Sequence, residues 1–405
     1  MQNKVVITGA GVISAIGNNK AGCLESLLQE RSGVGEVCYL RTTHREFPVG
    51  EVKMSNAEMA ASMSMEEKGW SRTELMGVIA LKEALDDAGL YDCNSGKALS
   101  GNMAFISGTT VGGMDVTEEC YPDGITADVI NHHDCGSTTN RIADFFGCFN
   151  LTTTISTACS SATNAFLLGE MLIKSGRKDV VVVGGSESLS RFHLNGFKSL
   201  MILDENLCCP FDAQRRGLNL GEGAAYIVLE SEQHALQRHA TVQAQLMATA
   251  NRCDAFHQTA SSADGEGAFL AMTDALRKAG LQPSDIDYVN AHGTGTPNND
   301  ASESAALRRV FGEGLTADGA QIKVSSTKAF TGHTTSASGA IETVFCMLTM
   351  QHGFIPANLN FKHADAECIV PVASTLHKDN LRYVMCNGFG FGGNDSTLII
   401  GKYGK

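Results

Sequence analysis

Proline and aromatic residues are scarce in this chain of 405 residues, which has 7 prolines and an aromatic content of only 6%. The few prolines, together with 43 glycines, argue against a disordered linker and indicate tight turns and close backbone contacts. Because aromatic rings are few, small aliphatic side chains must fill the core. A hydrophobic content of 43% is enough for a large core.

Long apolar runs are also lacking. No segment reaches transmembrane length, and no signal-peptide segment precedes the first predicted strand at residues 5–8. We therefore expect a cytoplasmic protein that has no membrane partner. Acidic residues are in excess, and the formal net charge of −13 argues against nucleic acid as a partner.

The chain contains 13 cysteines, but their spacing does not match a disulfide framework or a zinc site. They are scattered, and the close pair Cys208 and Cys209 is adjacent rather than separated by two residues. We therefore expect free thiols in a reducing compartment.

Short β-rich runs alternate with helical periodicity along the whole chain, and this pattern predicts an α/β protein. The four consecutive valines at residues 180–183 are typical of a strand that is buried on both faces. The predicted strands are 5–8, 103–107, 180–183, 225–229 and 288–290. The predicted helices are 73–88, 162–174, 268–279, 303–311 and 340–350.

Two segments share the order of a small-residue turn, a helix and a glycine-marked strand, which indicates an internal duplication. The first helix begins beside Cys159 and the second beside His333. Two such units would place both residues at equivalent helix N-termini, facing each other across a pseudo-twofold axis. The alternative is a chance similarity between two helices rich in small residues. We expect the break near residues 241–256, with halves at 1–245 and 246–405.

Cys159 lies in the run Ser-Thr-Ala-Cys-Ser-Ser at residues 156–161, which opens a predicted helix. The N–H groups and the dipole of a helix N-terminus are expected to lower the pKa of this thiol, and the small neighbours give a substrate access. A thiolate here could attack a carbonyl carbon and hold an acyl group. The alternative is a packed core thiol.

His292 and His333 could complete an acyl-transfer set. His292 follows a predicted strand in His-Gly-Thr-Gly-Thr-Pro, where the glycines would let a substrate approach. His333 lies at the predicted N-terminus of the second helix, where the positive helix end favours a neutral imidazole that can donate to an enolate oxygen. The alternatives are a turn histidine and a helix cap.

Lys328, Glu303 and Phe391 are further candidates for the same site. A buried pair of Lys328 and Glu303 would orient the site, whereas a surface ion pair would contribute little. The glycines that flank Phe391 would let a backbone N–H point into the site and let the ring swing, whereas the alternative is a tight β-turn. The nucleotide-binding fingerprint is incomplete at residues 9–14 and at 387–394, which argues against a dehydrogenase.

In combination, these motifs resemble those of the β-ketoacyl-[acyl carrier protein] synthases, the elongating enzymes of type II fatty-acid synthesis. Within the thiolase superfamily the chain is similar to the synthase I/II group, and the resemblance covers nearly its whole length. The motifs are Thr-Ala-Cys-Ser-Ser at 157–161, Cys-Pro-Phe-Asp at 209–212, Gly-Glu-Gly-Ala at 221–224, His-Gly-Thr at 292–294, Ser-Thr-Lys at 326–328, Gly-His at 332–333 and Gly-Phe-Gly-Gly at 390–393.

The resemblance implies a five-layered α-β-α-β-α fold made of two fused βαβαβαβ halves, usually in a dimer. It implies a decarboxylative Claisen condensation, in which an acyl group from acyl carrier protein and malonyl-carrier protein give 3-oxoacyl-carrier protein during fatty-acid elongation. No redox or metal cofactor is required for this chemistry.

The resemblance also implies roles for the candidate residues. Cys159 would be the acylated nucleophile, and His292 and His333 would promote decarboxylation and stabilise the enolate. Lys328, paired with Glu303, would support the site electrostatically.

The glycine-rich tail has implied roles as well. The backbone N–H groups of Cys159 and Phe391 would form an oxyanion hole, and the Phe391 ring would gate the acyl pocket. Some members of the family hold a structural monovalent or divalent cation, for which the matching positions are Asn290, Glu342, Cys386 and Asn387. Cys386 stands where a serine is more usual.

Several departures from the family's pattern leave the pathway open. Cys209 replaces a usual arginine, residues 215–219 replace Arg-Asp-Gly-Phe-Val, and residues 121–133 are acidic where basic carrier-binding residues are common. The alternative function is therefore a pathway-specific type II polyketide or aryl-polyene ketosynthase, which could pair with a chain-length-factor subunit. Lys68 and Arg72 are candidates for docking an acidic carrier protein, and exposed helix-face charges are the alternative.

Related enzyme groups fit the sequence less well. A biosynthetic thiolase would need a second cysteine in the glycine-rich tail, where Phe389 and Phe391 stand. A non-catalytic chain-length factor would lack Cys159, and the starter-forming synthase III group has an asparagine where His333 stands.

Overall fold

The computed structural model describes residues 4–92, 97, 98, 102–312 and 322–404. Its strands are β1 (Val5–Ser14), β2 (Tyr91–Asp92), β3 (Lys97–Ala98), β4 (Met103–Gly108), β5 (Phe149–Ile155), β6 (Val180–Glu187), β7 (Gly223–Ser231), β8 (Ala244–Cys253), β9 (Tyr288–Asn290), β10 (Lys323–Ser325), β11 (Phe354–Ile355), β12 (Leu376–His377), β13 (Tyr383–Gly390) and β14 (Asn394–Gly401).

The α-helices are α1 (Lys20–Leu28), α2 (Asn56–Ser62), α3 (Arg72–Asp87), α4 (Met114–Cys120), α5 (Ala127–His133), α6 (Cys135–Phe146), α7 (Ser161–Lys174), α8 (Arg191–Ser199), α9 (Glu232–Gln237), α10 (Glu266–Ala279), α11 (Pro297–Phe311), α12 (Lys328–Thr331) and α13 (Ser338–His352). Short 3₁₀ turns lie at Pro283–Asp285 and Thr335–Ala337. Among the described residues, no helix combines the length and the apolar character needed to cross a bilayer.

The main sheet consists of two half-sheets with the same topology. The strand order is β5-β4-β6-β7-β1 in the first half and β8-β14-β13-β9-β10 in the second. In each half the first strand of the chain pairs antiparallel with the last, the last pairs antiparallel with the one before it, and the remaining pairs are parallel. The repeated topology confirms the predicted duplication.

Helices cover both half-sheets on both sides and so form five layers. The α7 and α13 helices lie between the half-sheets, where Phe166 and Phe345 are fully buried against strands of both halves. The α3 and α6 helices cover the outer face of the first half, and α10 and α11 cover that of the second. This is the expected α-β-α-β-α arrangement.

The expected break near residues 241–256 falls on β8, the first strand of the second half, which pairs with both β1 and β14. The buried residues Ala244, Leu246, Ala248 and Ala250 follow the period of two that is typical of a strand. Because three of these four residues are alanines, the alternation is a weak strand signal in the sequence. The division at residues 245 and 246 therefore falls inside a strand that joins the two halves.

The central layer gives a test of stability. Phe166→Ala should lower the free energy of unfolding by about 3–5 kcal/mol, because it leaves a cavity between the two half-sheets. The matched control is Phe192→Ala, whose ring is 58% exposed and whose loss should cost about 0.5 kcal/mol or less. Chemical unfolding followed by circular dichroism measures both values. Equal losses in the two variants would contradict the burial of α7.

Candidate active site

Cys159 lies in a sharp turn between β5 and α7 and is 5% exposed. The residue before it, Ala158, has a φ angle of 51°, in the left-handed region that a residue with a side chain rarely adopts. Ser161 holds this turn, because its Oγ accepts from Thr157 N at 2.9 Å and donates to Ala158 O at 2.6 Å. The strained turn presents the thiol at the end of a strand, as a nucleophile elbow does.

His333 is in direct contact with the thiol. Its Nε2 lies 3.1 Å from Cys159 Sγ, and its Nδ1 lies 3.0 Å from Ser338 Oγ. The sequence placed His333 at a helix N-terminus, which is wrong, because α13 begins five residues later at Ser338. His333 lies instead in the turn after α12, where its backbone N–H donates to Asn219 O at 2.7 Å.

Two glycines of the first half let the His333 turn approach so closely. A Cβ atom built on Gly50 or on Gly221 would overlap the backbone oxygen of Thr331. Any side chain at these two positions would therefore push the turn away from the first half. The position of His333 relative to the thiol depends on this close backbone contact.

His292 follows β9 in a loop that Glu303 fixes. The backbone N–H groups of His292 and Gly293 donate to the two carboxylate oxygens of Glu303 at 2.9 and 2.8 Å. Asn387 Nδ2 donates to the same carboxylate at 3.2 Å. The rings of His292 and His333 lie 5.3 Å apart between centroids, at an angle of 84°. Both imidazoles therefore reach the same site.

The predicted pair of Lys328 and Glu303 is wrong. Lys328 Nζ pairs with Glu342 Oε1 at 2.5 Å, and both side chains are almost completely buried. Glu342 lies on α13, one turn after Ser338, and so faces the short α12 helix that carries Lys328. Because Glu303 and Glu342 both lie on predicted helices, the sequence offered no way to choose between them.

Burial keeps both histidines uncharged. The pKa values of His292 and His333 lie well below the usual value, first because burial disfavours the imidazolium and then because the positive charge of Lys328 is close. Neutral imidazoles agree with the expectation from the sequence for His333. Each neutral ring has one N–H group that can donate a hydrogen bond and one unprotonated nitrogen that can accept a proton.

The thiol is also uncharged, which corrects a prediction. We expected the helix N-terminus to lower the pKa of Cys159, but burial raises it to about 12. Lys328 and the backbone N–H groups of Phe391 and Cys159 lower this pKa, but they do not offset the loss of solvent. The nucleophile therefore needs a base at the moment of attack, and the nearest ring nitrogen is His333 Nε2.

A cavity of about 240 Å³ leads to the three reactive groups, and Phe391 forms part of its wall. The Phe391 ring stacks on Phe197 with centroids 5.8 Å apart and an angle of 24°. The backbone N–H groups of Phe391 and Cys159 lower the pKa of the Cys159 thiol, which fits their predicted role as oxyanion donors. Other lining residues include Ile202, Leu218, Thr294, Thr296 and Phe389.

The four predicted cation ligands fit only in part. Asn290 Oδ1 and Glu342 Oε2 are buried and have no hydrogen-bond partner within the described ranges, which suits a hard cation. Asn387 Oδ1 already accepts from Thr397 Oγ1 at 2.9 Å, and Cys386 offers a soft sulfur. Within those ranges no cluster of three or more His, Cys, Asp or Glu side chains could hold a metal ion. The cation stays a prediction.

Of the two predicted carrier-docking residues, Arg72 is buried, so the prediction is wrong for this residue. It is only 7% exposed, because its guanidinium pairs with the buried Glu222 at 2.6 Å and also donates to Met54 O at 3.0 Å. The first turn of α3 faces the interior, whereas the sequence suggested an exposed helix face. Lys68 is exposed and stays a candidate.

Three asparagines beside the elbow were missed. The side-chain oxygen of Asn394 accepts from Asn164 Nδ2 at 2.8 Å and from Asn251 Nδ2 at 2.7 Å. A signal was present in the sequence, because asparagine is unfavourable inside helices and strands, and Asn164 and Asn251 interrupt otherwise regular patterns.

Comparisons with known proteins agree with this geometry. The protein-family model described as "Beta-ketoacyl synthase, N-terminal domain" matches residues 2–235. The family model described as "Beta-ketoacyl synthase, C-terminal domain" matches residues 243–362. "Nodulation protein E" of Rhizobium meliloti is 33% identical over 412 residues, which cover 99% of both chains. "3-oxoacyl-[acyl-carrier-protein] synthase 2" of Staphylococcus aureus (strain COL) is 31% identical over 418 residues, also 99% of both.

Solved structures show the same similarity. The ishigamide ketosynthase/chain length factor has a TM-score of 0.90 and 30% identity, and the match covers 100% of both chains. The AntDE:AntF complex, a type II PKS acyl-carrier protein with its ketosynthase, has a TM-score of 0.87 and 25% identity over 99% of this chain and 100% of that one. With both halves matched and the reactive residues gathered in one cavity, this chain belongs to the beta-ketoacyl synthase family, a group of acyltransferases.

Proposed function

We propose that this protein joins an acyl group held on Cys159 to the enolate of malonyl-acyl carrier protein and releases 3-oxoacyl-carrier protein. The observation that carries this proposal is the contact of 3.1 Å between Cys159 Sγ and His333 Nε2 in a cavity that also contains His292. The known chemistry of thiols and neutral imidazoles then defines the steps.

The first step loads the acyl group. His333 Nε2 takes the thiol proton while Cys159 Sγ attacks the thioester carbonyl carbon. The new S–C bond forms, the S–C bond to the carrier breaks, and the proton passes to the leaving carrier thiolate. The backbone N–H groups of Cys159 and Phe391 stabilise the oxyanion. Ser338 Oγ can accept from or donate to His333 Nδ1, so either tautomer of the ring is satisfied.

The second step produces the carbon nucleophile. The bond between the malonyl carboxylate and its α-carbon breaks, CO₂ leaves, and the electron pair forms an enolate. Neutral His292 and His333 donate N–H groups to the enolate oxygen. Protonated imidazoles would cost more to bury, and the nearby Lys328 adds to that cost.

The third step forms the product. The enolate carbon attacks the acyl carbonyl on Cys159, the C–S bond breaks, and the thiolate takes up one proton from solvent. These steps balance without a redox cofactor, and we propose that none is required. A cation held by Asn290 and Glu342 would supply fixed positive charge beside the Lys328 pair, and no step depends on it.

We propose acyl carrier protein as the partner, in fatty-acid elongation. This proposal is supported by the similarity to the Staphylococcus aureus synthase. The alternative is a specialised type II polyketide or aryl-polyene pathway with a chain-length-factor subunit, which is supported by the similarity to the ishigamide ketosynthase/chain length factor. Either pathway fits the cytoplasmic location predicted from the sequence.

Assembly through β5 fits both pathways. This strand is at the edge of the sheet, and only β4 pairs with it within the described ranges. An uncovered strand edge is suited to association, so we propose a homodimer or a heterodimer with a chain-length factor.

The nucleophile is tested by Cys159→Ala. Condensation should disappear because no acyl thioester can form, whereas decarboxylation of malonyl-carrier protein should persist because it uses the histidines. Mass spectrometry of the carrier-bound products measures both reactions. Cys148→Ala, which removes another buried thiol, should retain both. Normal elongation by Cys159→Ala would rule out this function.

The charge state of the histidines is tested by pH. The pKa values of His292 and His333 are lowered, so both rings stay neutral as the pH falls through the usual histidine value of about 6.5. Decarboxylation by Cys159→Ala should therefore stay level between pH 8 and about pH 6, whereas two rings of ordinary pKa, which must both be neutral, would leave only about a quarter of it at pH 6.5. A carrier-bound acetyl assay gives the rate.

Burial raises the pKa of Glu303 to about 7, so this carboxyl titrates in the same range. The double variant Cys159→Ala/Glu303→Gln removes that titration and should give the same level profile. A fall to half of the rate near pH 7 in both variants, continuing to about pH 6, would show that the histidines are not kept neutral.

The substrate class is tested by incubating the protein with a panel of acyl-carrier proteins and measuring the mass added to Cys159. If the protein elongates fatty acids, saturated acyl chains should be loaded at least about tenfold faster than conjugated polyenoyl chains of equal length, a difference of about 1.4 kcal/mol. The opposite preference, together with a heterodimer in native mass spectrometry, would favour the specialised pathway.

A further inference from the structure

The side-chain oxygen of Asn394 collects hydrogen bonds from both halves of the protein. Three donor groups surround it: Ser160 Oγ at 2.7 Å, Asn164 Nδ2 at 2.8 Å and Asn251 Nδ2 at 2.7 Å. An amide oxygen has two lone pairs, so these groups saturate it, with the single Ser160 hydrogen shared between Asn394 and Thr157 O at 2.8 Å. The reactions described above do not use any of these side chains.

The donors come from three different elements. Ser160 belongs to the elbow and directly follows Cys159, Asn164 lies on the first turn of α7, and Asn251 lies on β8. Asn394 itself begins β14, and it pairs with Gly390 across the turn that carries Phe391. One amide oxygen therefore joins the Phe391 turn to the elbow of the other half.

The elbow and the turn are in close backbone contact. A Cβ atom built on Gly390 would lie 3.3 Å from Cys159 N and 3.0 Å from Thr157 O. On its other side, the turn is bonded to the segment after β8, because Gly392 N donates to Gln258 O and Asp254 N donates to Gly393 O, each at 2.8 Å. Those bonds hold the turn to its own half, and Asn394 fixes it against the nucleophile.

We propose that Asn394 is a positioning residue that sets the separation of the two oxyanion donors, the backbone N–H groups of Cys159 and Phe391. The Cys159 N–H is part of the elbow and the Phe391 N–H is part of the turn. The distance between them therefore depends on the hydrogen bonds that join these two segments. The inference rests on the proposed oxyanion role of the two N–H groups. It does not depend on the carrier protein or on the malonyl substrate.

Two reactions of the same sulfur separate positioning from general damage. With p-nitrophenyl hexanoate, Cys159 Sγ attacks the ester carbonyl, an oxyanion forms, and the C–O bond to p-nitrophenolate breaks while the thiol proton leaves to His333. With iodoacetamide, Cys159 Sγ forms a bond to the methylene carbon, iodide leaves, the thiol proton passes to His333, and no oxyanion forms. Only the first reaction needs the two N–H donors.

Asn394→Leu should lower the rate of acylation of Cys159 by about 100-fold, the effect of losing one oxyanion donor. Alkylation by iodoacetamide should stay within about threefold of the wild-type rate, because the thiol and His333 are unchanged. Mass spectrometry of Cys159 over time gives both rates. Equal falls in the two rates would overturn the proposal, since a purely structural role would affect both reactions alike.

The matched control is Asn251→Leu, which removes one of the three donors and touches neither backbone N–H group. The ratio of acylation to alkylation in this variant should stay within about threefold of the wild-type ratio. A ratio that falls as far as in Asn394→Leu would also overturn the proposal. Asn394→Ala gives the same comparison if the leucine variant does not fold. A wild-type protein that reacts with the ester but not with acyl-carrier thioesters would contradict the proposed function and leave this inference standing.

Discussion

The packing of α7 and α13 between the two half-sheets brings the reactive atoms together. Cys159 lies just before α7 and His333 lies shortly before α13, so each reactive group is attached to one of these buried helices. Because neither helix can move without opening the core, the thiol and the imidazole stay 3.1 Å apart although 174 positions separate them in the chain. The close approach at Gly50 and Gly221 fixes the His333 turn from the other side.

The same burial determines the charges in the site. Loss of solvent raises the pKa of the thiol and lowers the pKa of both imidazoles. The charge of Lys328 lowers all three pKa values. It therefore opposes the effect of burial on the thiol and adds to the effect of burial on the two rings. The result is a set of uncharged groups beside one buried ion pair, Lys328 and Glu342. Proton transfer to His333 can therefore accompany the attack of sulfur on a carbonyl carbon.

Much of this could be predicted from the sequence, because the signals are local. The periodicity of hydrophobic residues predicted α3, α7, α10, α11 and α13 but missed the long strands β5, β8 and β14. Runs of small residues marked Cys159, His292, His333 and Phe391. The errors concern which faces meet in three dimensions. The sequence could not show that Lys328 would choose Glu342 over Glu303, or that Arg72 would face the interior. The helix N-terminus suggested a reactive thiolate at Cys159, but the degree of desolvation depends on the packed fold.

The repeated topology has a consequence for how such a site can arise. Two identical subunits related by a true twofold axis would present the same side chain from both equivalent turns, sulfur facing sulfur or ring facing ring. Covalent fusion removes that restriction, since each copy can then vary without changing the other. A thiol opposite an imidazole is thus a product of broken symmetry, and the asymmetry of the reaction is encoded in a fold that remains almost symmetric.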